Sequence, residues 1–404
     1  MSNKIILSAN GRFYFFELAI QLNKRGKLLY LICPYPPFLV KRYGLEPKKV
    51  KGIPIVEIFK RLFCKMPFPI NAIGEQLVCL LFDKLQIFYI NKKANLFIGL
   101  SSCQYSALKI YKNIGIPTII DIGSPHPIKI KNQYDKEISI LKDRFKLKDF
   151  DLNKDIVFEA TKELTVKKGL SNILQREYKI ADYINVPSSN VKESMIENGI
   201  DAKKILVNHY GVCLESFYPM KKNDNYFKLV YAGGITFRKG VHYLIKAFLE
   251  LNLPDSKLFL AGNISNSFRK YLKFNKSKNI KLLGHLTESN LNKLYNNSSI
   301  FVHPSLSEGL SLVTLQALAT STPIICTNMT GAQDLIINNI HGYIINTHNL
   351  DQLKEKILKI YNDKKLLNYM RDNLLSLDIK KFSWDSYGSR AIKIADKVIK
   401  YHNN

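Results

Sequence analysis

The segment Lys228-Leu-Val-Tyr-Ala-Gly-Gly-Ile-Thr-Phe-Arg-Lys-Gly240, continued by residues 241–251, decides how this chain is read. Residues 228–232 form a short apolar run of strand type, and 240–251 place apolar residues at helical spacing. Between them, Gly233 and Gly234 allow close approach to the backbone. Arg238 and Lys239 then put two cations beside the positive end of the helix that Gly240 opens. A strand, a glycine turn and a helix with cations at its start suit a diphosphate.

The same rhythm runs outward in both directions. Toward the carboxyl end, strands are expected at 257–261, 280–283, 299–303 and 323–326, with helices at 288–295 and 311–319. Toward the amino end, residues 4–8 read as a buried strand and 17–25 as a helix stopped by Gly26. Further strands are expected at 28–33, 96–100, 118–122 and 183–186. The fold class is therefore α/β, with two Rossmann-like doubly wound parallel-sheet domains facing a central cleft. Expected boundaries are 1–211 for an acceptor-side domain and 212–380 for a nucleotide-sugar donor domain. Residues 381–404 should form a helix, carrying the only tryptophan, that packs back on the first domain.

Length and composition agree with this plan. Of 404 residues, 46% are hydrophobic and 23% charged, which excludes a disordered chain and a single small domain. The six cysteines, at 33, 64, 79, 103, 213 and 326, include no short-spaced pair, which argues against a zinc site or a disulfide framework and for a reducing cytosol. No apolar run approaches a bilayer span, and residues 1–16 lack a signal-peptide core, so a soluble or peripheral protein is expected. The net charge is +27 and unevenly spread: residues 1–131 hold 20 Lys/Arg against 6 Asp/Glu, while 132–210 hold 14 against 13. That basic first third would attract polyanions, and an anionic membrane surface is a candidate partner. Nucleic acid is not expected, because no recognition motif or interleaved aromatic and basic surface is present. Residues 63–69 and 76–90 set bulky apolar side chains beside lysines; a helix packed on the first sheet and a membrane-surface contact both remain open.

A second informative segment, Pro304-Ser-Leu-Ser-Glu-Gly-Leu-Ser-Leu-Val-Thr-Leu-Gln316, again runs from strand through loop to helix. Glu308 precedes the helix, free N–H groups near 310–312 can point at an anion, and Gln316 lies roughly 8 Å along the axis at about 1.5 Å per residue. One ligand could touch both ends. A glutamate at a helix start is also an ordinary dipole-stabilising group.

Together the two segments resemble the donor domain of GT-B glycosyltransferases of the retaining family 4 type, with a G-x-x-x-x-R-K-G phosphate turn and an E-x7-E segment. The resemblance extends to the Asn10-Gly11-Arg12 loop, Ala181 to Ser188, Tyr210-Gly-Val212, Gly331-Ala-Gln-Asp334 and Trp384-Asp-Ser-Tyr387. It implies that Gly234, Arg238 and Lys239 bind the donor diphosphate and that Glu308 meets the sugar hydroxyls. It further implies that Gly309, Leu310, Ser311 and Leu312 offer backbone N–H groups, that Leu286 lies in the base-reading loop, and that position 316 holds the ribose. The usual second glutamate is Gln316 here, and a usual glycine is Ser311. In the first domain the resemblance makes His126, in the loop 121–127, a catalytic contact to sugar hydroxyls, and places Gly11 and Arg12 near the phosphates or the acceptor. His242, His285, His303, His341 and His348 show no ligand spacing and read as structural or surface residues; Glu159 and Glu177 read as solvated. No metal and no cofactor is implied, the nucleotide diphosphate sugar being a substrate. The implied activity is retaining, metal-independent, hexosyltransferase-like transfer to a glycan or lipid-linked glycan acceptor in surface polysaccharide synthesis, in the cytoplasm or peripherally on the inner membrane. The alternative is a catalytically silent GT-B protein that binds glycan or nucleotide.

Overall fold

The computed structural model describes residues 3–66, 70–145, 168–221 and 226–403. A seven-stranded parallel sheet forms from β1 (Ile5–Ser8), β2 (Leu28–Cys33), β3 (Val50–Gly52), β4 (Leu96–Leu100), β5 (Thr118–Asp121), β6 (Tyr183–Val186) and β7 (Ile205–Val207) in the order 3-2-1-4-5-6-7. A six-stranded parallel sheet forms from β8 (Phe227–Ala232), β9 (Ser256–Ala261), β10 (Ile280–Gly284), β11 (Ile300–His303), β12 (Ile324–Thr327) and β13 (Gly342–Ile345) in the order 10-9-8-11-12-13. Both sheets reverse direction of growth at one place, between β1 and β4 and between β8 and β11. Ligands of open α/β sheets bind outside the carboxyl ends of the strands at such points.

The strands that the sequence marks are the buried central ones and one exposed edge strand, β10. Those it leaves unmarked, β3, β7 and β13, are edge strands of three or four residues.

The helices that frame the cleft and join the domains are α1 (Phe15–Lys24), α2 (Pro54–Cys64), α3 (Ile70–Leu85), α4 (Pro127–Phe145), α5 (Lys168–Ile180), α6 (Val241–Leu251), α7 (Glu288–Asn296), α8 (Leu312–Ala319) and α9 (Trp384–Asn403). The last of them returns to the first domain. Arg25 Nη2 lies 2.7 Å from Asp385 Oδ1, Asn3 Nδ2 donates to Asp396 Oδ1 at 2.8 Å, and Gly388 sits so close to α1 that a Cβ would fall 2.5 Å from that of Gln21.

Helix α4 crosses the other way. Its sequence belongs to the first domain, yet Tyr134 and Leu141 join the apolar cluster of Phe237, Val241 and Leu244 in the second. Glu137, fully buried, accepts from the Tyr243 hydroxyl at 2.7 Å and lies 2.7 Å from His242 Nε2 and 3.4 Å from His348 Nε2. Those two histidines are thus structural, as expected, and they tie the domains together. Glu159 lies outside the described residues, as do 67–69 of the apolar run before α3.

Candidate active site

The second-domain wall of the cleft is built by the loops after β8 and β11. After β8 the Tyr231 hydroxyl donates to the Gly234 carbonyl at 2.7 Å and fixes the glycine turn. Gly240 caps α6 at φ +66, and a Cβ there would fall 1.8 Å from the Pro304 carbonyl oxygen. No other residue fits that contact, so the turn carrying Arg238 and Lys239 is pressed against the exit of β11. The Arg238 carbonyl accepts from Leu306 N–H at 3.1 Å, locking the two loops further.

This packing delivers Lys239 Nζ to Glu308 Oε1, where the two form an ion pair. Ser305 Oγ donates to the same oxygen at 2.8 Å, and His303 Nε2, 1% exposed at the end of β11, lies 3.7 Å from it. Burial alone would raise the Glu308 carboxyl; Lys239, His303 and Arg238 overcome that and hold it well below the usual carboxylate range. The His303 pKa is itself lowered, its burial outweighing the carboxylate beside it. Lys239 and Glu308 therefore act as one charged unit. An ammonium has three donors, so engagement with Glu308 leaves Lys239 able to meet a phosphate oxygen as well. Nothing in the spacing of His303 links it to position 308, so sequence reasoning misses it; its place at the carboxyl end of a central strand is the available signal.

The loop from Glu308 to α8 meets the first domain directly. Ser188 Oγ donates to the Gly309 carbonyl at 2.6 Å, and a Cβ on Gly309 would fall 2.1 Å from the Gly123 carbonyl oxygen. Asp334 accepts from Ser189 N–H at 2.6 Å and lies 3.0 Å from His209 Nε2; burial raises its carboxyl, but His209 and Ser189 bring it below the usual value. Leu310 is buried. Ser311 caps α8 without a side-chain bond, and its N–H already donates to the Thr330 carbonyl at 3.3 Å. That bond removes Ser311 from the expected set of open backbone donors.

A cavity of about 360 Å³ spans the domain boundary, with Arg12, Glu17, Glu288, Leu312, Gln316 and Trp384 among its lining residues. Three residues singled out from the sequence, Arg12, Leu312 and Gln316, thus meet across the cleft. The Arg12 guanidinium also stacks 4.2 Å above the Tyr43 ring, and Tyr295 Oη donates to Gln316 Oε1 at 3.5 Å. Glu17 and Glu288 do not stand out in the sequence, since each sits in the first turn of a surface helix where acidic residues are common. Gly11 is buried beneath Phe13, and Leu286 packs half-buried against the core two residues before Glu288.

His126 is a correction. Expected to face the donor sugar, it is 2% exposed at the start of α4, with its backbone N–H donating to Ser194 Oγ at 3.0 Å and its Nδ1 accepting from Ile128 N–H at 3.3 Å. Its ring packs against Tyr178, and burial lowers its pKa. These contacts lie within the first domain, where the backbone N–H and Nδ1 hold the loop, and Gly123 forms the surface that meets Gly309. Glu177 is a second correction: far from solvated, it is fully buried on α5 and accepts from the N–H groups of Ser102 and Gln104 at 2.7 and 2.6 Å. Those bonds favour its charged form, yet burial dominates and pushes it up to about 8.

Asp121 closes the same side. Burial pushes its carboxyl up to about 6 although Tyr14 Oη and Asn185 Nδ2 both donate to it. Among the described residues no cluster of three or more His, Cys, Asp or Glu could hold a metal ion, and no helix is long and apolar enough to cross a membrane.

Two facing parallel-sheet domains with this interdomain site define the GT-B fold. Solved structures agree: a glycosyltransferase from Rickettsia africae superposes with TM-score 0.66 over 99% of this chain and 100% of its own at 16% identity. HepE of Anabaena, solved with UDP-glucose, gives 0.65 over 97% and 99% at 13% identity. Residues 215–374 match the family model of glycosyl transferases group 1. The capsular polysaccharide biosynthesis glycosyltransferase CapM of Staphylococcus aureus is 33% identical over 46% of this chain and 49% of its own. UDP-Gal:alpha-D-GlcNAc-diphosphoundecaprenol alpha-1,3-galactosyltransferase of Escherichia coli is 28% identical over 52% and 53%. The matched stretch spans about half the length of these two curated relatives.

Proposed function

We propose that the protein is a retaining glycosyltransferase that moves a sugar from a nucleotide diphosphate sugar to a glycan or lipid-linked glycan in surface polysaccharide synthesis. One observation carries this: residues of both domains line a single cavity at the switch points of the sheets, and the same second-domain wall carries a half-buried Lys239–Glu308 pair. In this reading Gln316 holds the ribose and Glu308 fixes the sugar hydroxyls. As the glycosidic bond breaks, Arg238, Lys239 and the first turn of α8 take up the charge of the leaving diphosphate, the part a divalent cation plays in other sites. The names of relatives favour uridine as the base and a diphosphoundecaprenol-linked saccharide as acceptor, which agrees with a peripheral location at the cytoplasmic face of a membrane.

The test is a melting series with UDP-, GDP-, ADP- and dTDP-sugars, followed by transfer to an undecaprenyl-diphosphate-linked saccharide. A true donor raises the melting temperature by mass action. Lys239→Ala should weaken binding of the free nucleoside diphosphate by roughly 10- to 150-fold, the loss of a charge-assisted hydrogen bond of about 1.5 to 3 kcal/mol. Nucleotide binding without release of nucleoside diphosphate from any sugar would make the silent binder the correct account.

A further inference from the structure

Two cysteines from separate elements meet beside the loop that enters the cleft after β1. Cys79 lies on α3 and Cys103 in the loop that follows β4. Asn10 Nδ2 donates to both sulfurs, at 3.9 Å to Cys79 Sγ and 3.3 Å to Cys103 Sγ, and the two thiols hydrogen-bond each other. The placement is held from several sides. Asp83 on α3 accepts from Ser106 N–H at 2.8 Å, Gln86 Nε2 donates to the Cys103 carbonyl at 2.5 Å, and Glu177 accepts from the N–H groups of Ser102 and Gln104 on either side of Cys103. Ser102 takes a left-handed backbone, φ +98, to make that turn.

Burial alone makes a cysteine inert: Cys33 and Cys326, enclosed in the apolar core, have their thiols pushed up to about 12. Cys79 differs. Its hydrogen bond with Cys103 lowers its pKa against its burial, and Ser102 and Asn10 add to that, whereas burial first and Cys79 second push Cys103 up. Cys79 is half-buried and lines a cavity of about 270 Å³, while Cys103 is 1% exposed. An accessible thiol of lowered pKa beside an enclosed one is the arrangement of an attacking and a resolving cysteine. In a reducing compartment such a pair senses oxidants and does not staple the fold.

We infer that Cys79 and Cys103 form a reversible disulfide when the protein meets hydrogen peroxide, and that the bond releases the loop of Asn10, Gly11 and Arg12 at the mouth of the cleft. The Cys79 thiolate attacks one peroxide oxygen, the O–O bond breaks, and the other oxygen leaves as water with the proton that Cys79 gave up. Cys79 is then a sulfenic acid. The Cys103 sulfur attacks it, the S–S bond forms, the S–O bond breaks, and hydroxide leaves with the Cys103 proton as a second water. The two thiols lose two electrons and the peroxide gains them; a dithiol reverses the bond by exchange. Asn10 transmits the change, because a disulfide sulfur accepts a hydrogen bond more weakly than a thiolate. Arg12 lines the interdomain cavity, and Phe13 does so from a left-handed backbone, φ +31, which the loop has to hold in place. The effect on transfer rests on the transferase reading; the bond itself does not.

The experiment treats the full chain with hydrogen peroxide, blocks the remaining thiols with N-ethylmaleimide and maps disulfides by peptide mass without reduction. The expected product joins the peptides of Cys79 and Cys103, two hydrogens lighter than the separate pair, and dithiothreitol parts them. Amide hydrogen exchange within residues 9–13 should become at least about threefold faster on oxidation, and sugar transfer at least about threefold slower, both returning on reduction. Cys79→Ser should form no link and keep both rates through the same treatment, and Cys103→Ser should stop at a Cys79 sulfenic acid that dimedone traps. Absence of the linked pair, a link to a different cysteine, or exchange in residues 9–13 that ignores the bond would overturn the inference. So would transfer unchanged by the bond in an active chain, or a Cys79→Ser variant as sensitive to peroxide as wild type. If the reduced chain transfers no sugar while the link and the exchange change appear, the transferase reading fails and the switch stands.

Discussion

The two walls of the cleft use their polar groups differently. In the second domain Glu308 is ionised and paired, with Lys239, Ser305 and His303 gathered on one carboxylate at the surface of the cleft. In the first domain burial raises the Glu177 and Asp121 carboxyls; Glu177 accepts from backbone N–H groups, Asp121 from the Tyr14 and Asn185 side chains, and His126 Nδ1 from the backbone of Ile128. What that wall presents to Glu308's loop is the backbone of Gly123 and the Ser188 hydroxyl. The comparison assigns charge stabilisation to the second domain and shape to the first, and it can be broken by experiment.

The largest effect is expected at Glu308. Glu308→Ala should lower kcat by about 10²- to 10³-fold, the 3 to 4 kcal/mol scale of a lost electrostatic contact at a reacting centre, with a much smaller change in affinity for UDP measured by calorimetry. His126→Ala should instead show its loss in stability, about 1 to 2 kcal/mol in a urea titration. If His126→Ala cut kcat as deeply without lowering stability, the division between the walls would be wrong.

Next comes the buried acid of the first domain. A Glu177 carboxyl at about 8 in the folded chain, against 4.5 unfolded, means that the native state holds a proton the unfolded state has released. Stability should therefore fall as pH rises from 4.5 to 8, by up to about 1.4 kcal/mol per unit, and level off above. Urea titrations at about pH 5.5 and 7.5, both inside that window, should show a steeper fall in wild type than in Glu177→Gln. A variant with an undiminished slope would assign it to another group.

How legible the molecule is in its sequence follows the same divide. Arg238, Lys239, Glu308 and Gln316 sit at fixed offsets from strand ends and helix starts, and such local geometry leaves a readable trace. The contacts that correct His126 and Glu177 join residues 68 to 75 positions apart, and nothing in local spacing reports them. The same holds for α4, whose own pattern shows a helix but not that Tyr134 and Leu141 pack under the other domain. The apolar runs before and within α3 indicate a helix; that Ile73, Leu77 and Leu80 face outward is a matter of packing, which periodicity cannot tell from a core face.

A smaller effect tests how the walls meet. A methyl group at position 309 would collide with the Gly123 carbonyl, and this contact lies between domains, so the strain can be relieved by opening the cleft. Gly309→Ala should lower kcat about tenfold, a cost near 1.4 kcal/mol, with little change in melting temperature and an increase in radius of gyration by small-angle scattering. A large loss of stability would show that the loop belongs to the folded core of the second domain and not to a closing surface.

The smallest effect is expected at Gln316. A carboxylate here would be the stronger acceptor for a ribose hydroxyl, since hydrogen bonds to charged groups are roughly twice as strong as neutral ones. The cavity, however, already contains Glu17 and Glu288, and Glu17 feels Glu288 as a repulsive neighbour that raises its pKa, after burial and against the pull of Arg12. A third acid would bind the hydroxyl better and repel its neighbours, and the two effects offset each other. Gln316→Glu should thus leave donor affinity within about threefold of wild type, under 0.7 kcal/mol. The double variant Gln316→Glu/Glu288→Gln removes the repulsion and keeps the acceptor, so it should bind the donor more tightly than either single variant. Titration calorimetry with UDP and with 2′-deoxy-UDP separates the terms: the gain in the double variant should vanish when the 2′-hydroxyl is absent. If the gain persisted with the deoxy ligand, Gln316 would not touch the 2′-hydroxyl, and the ribose would have to be held by another residue of the cavity.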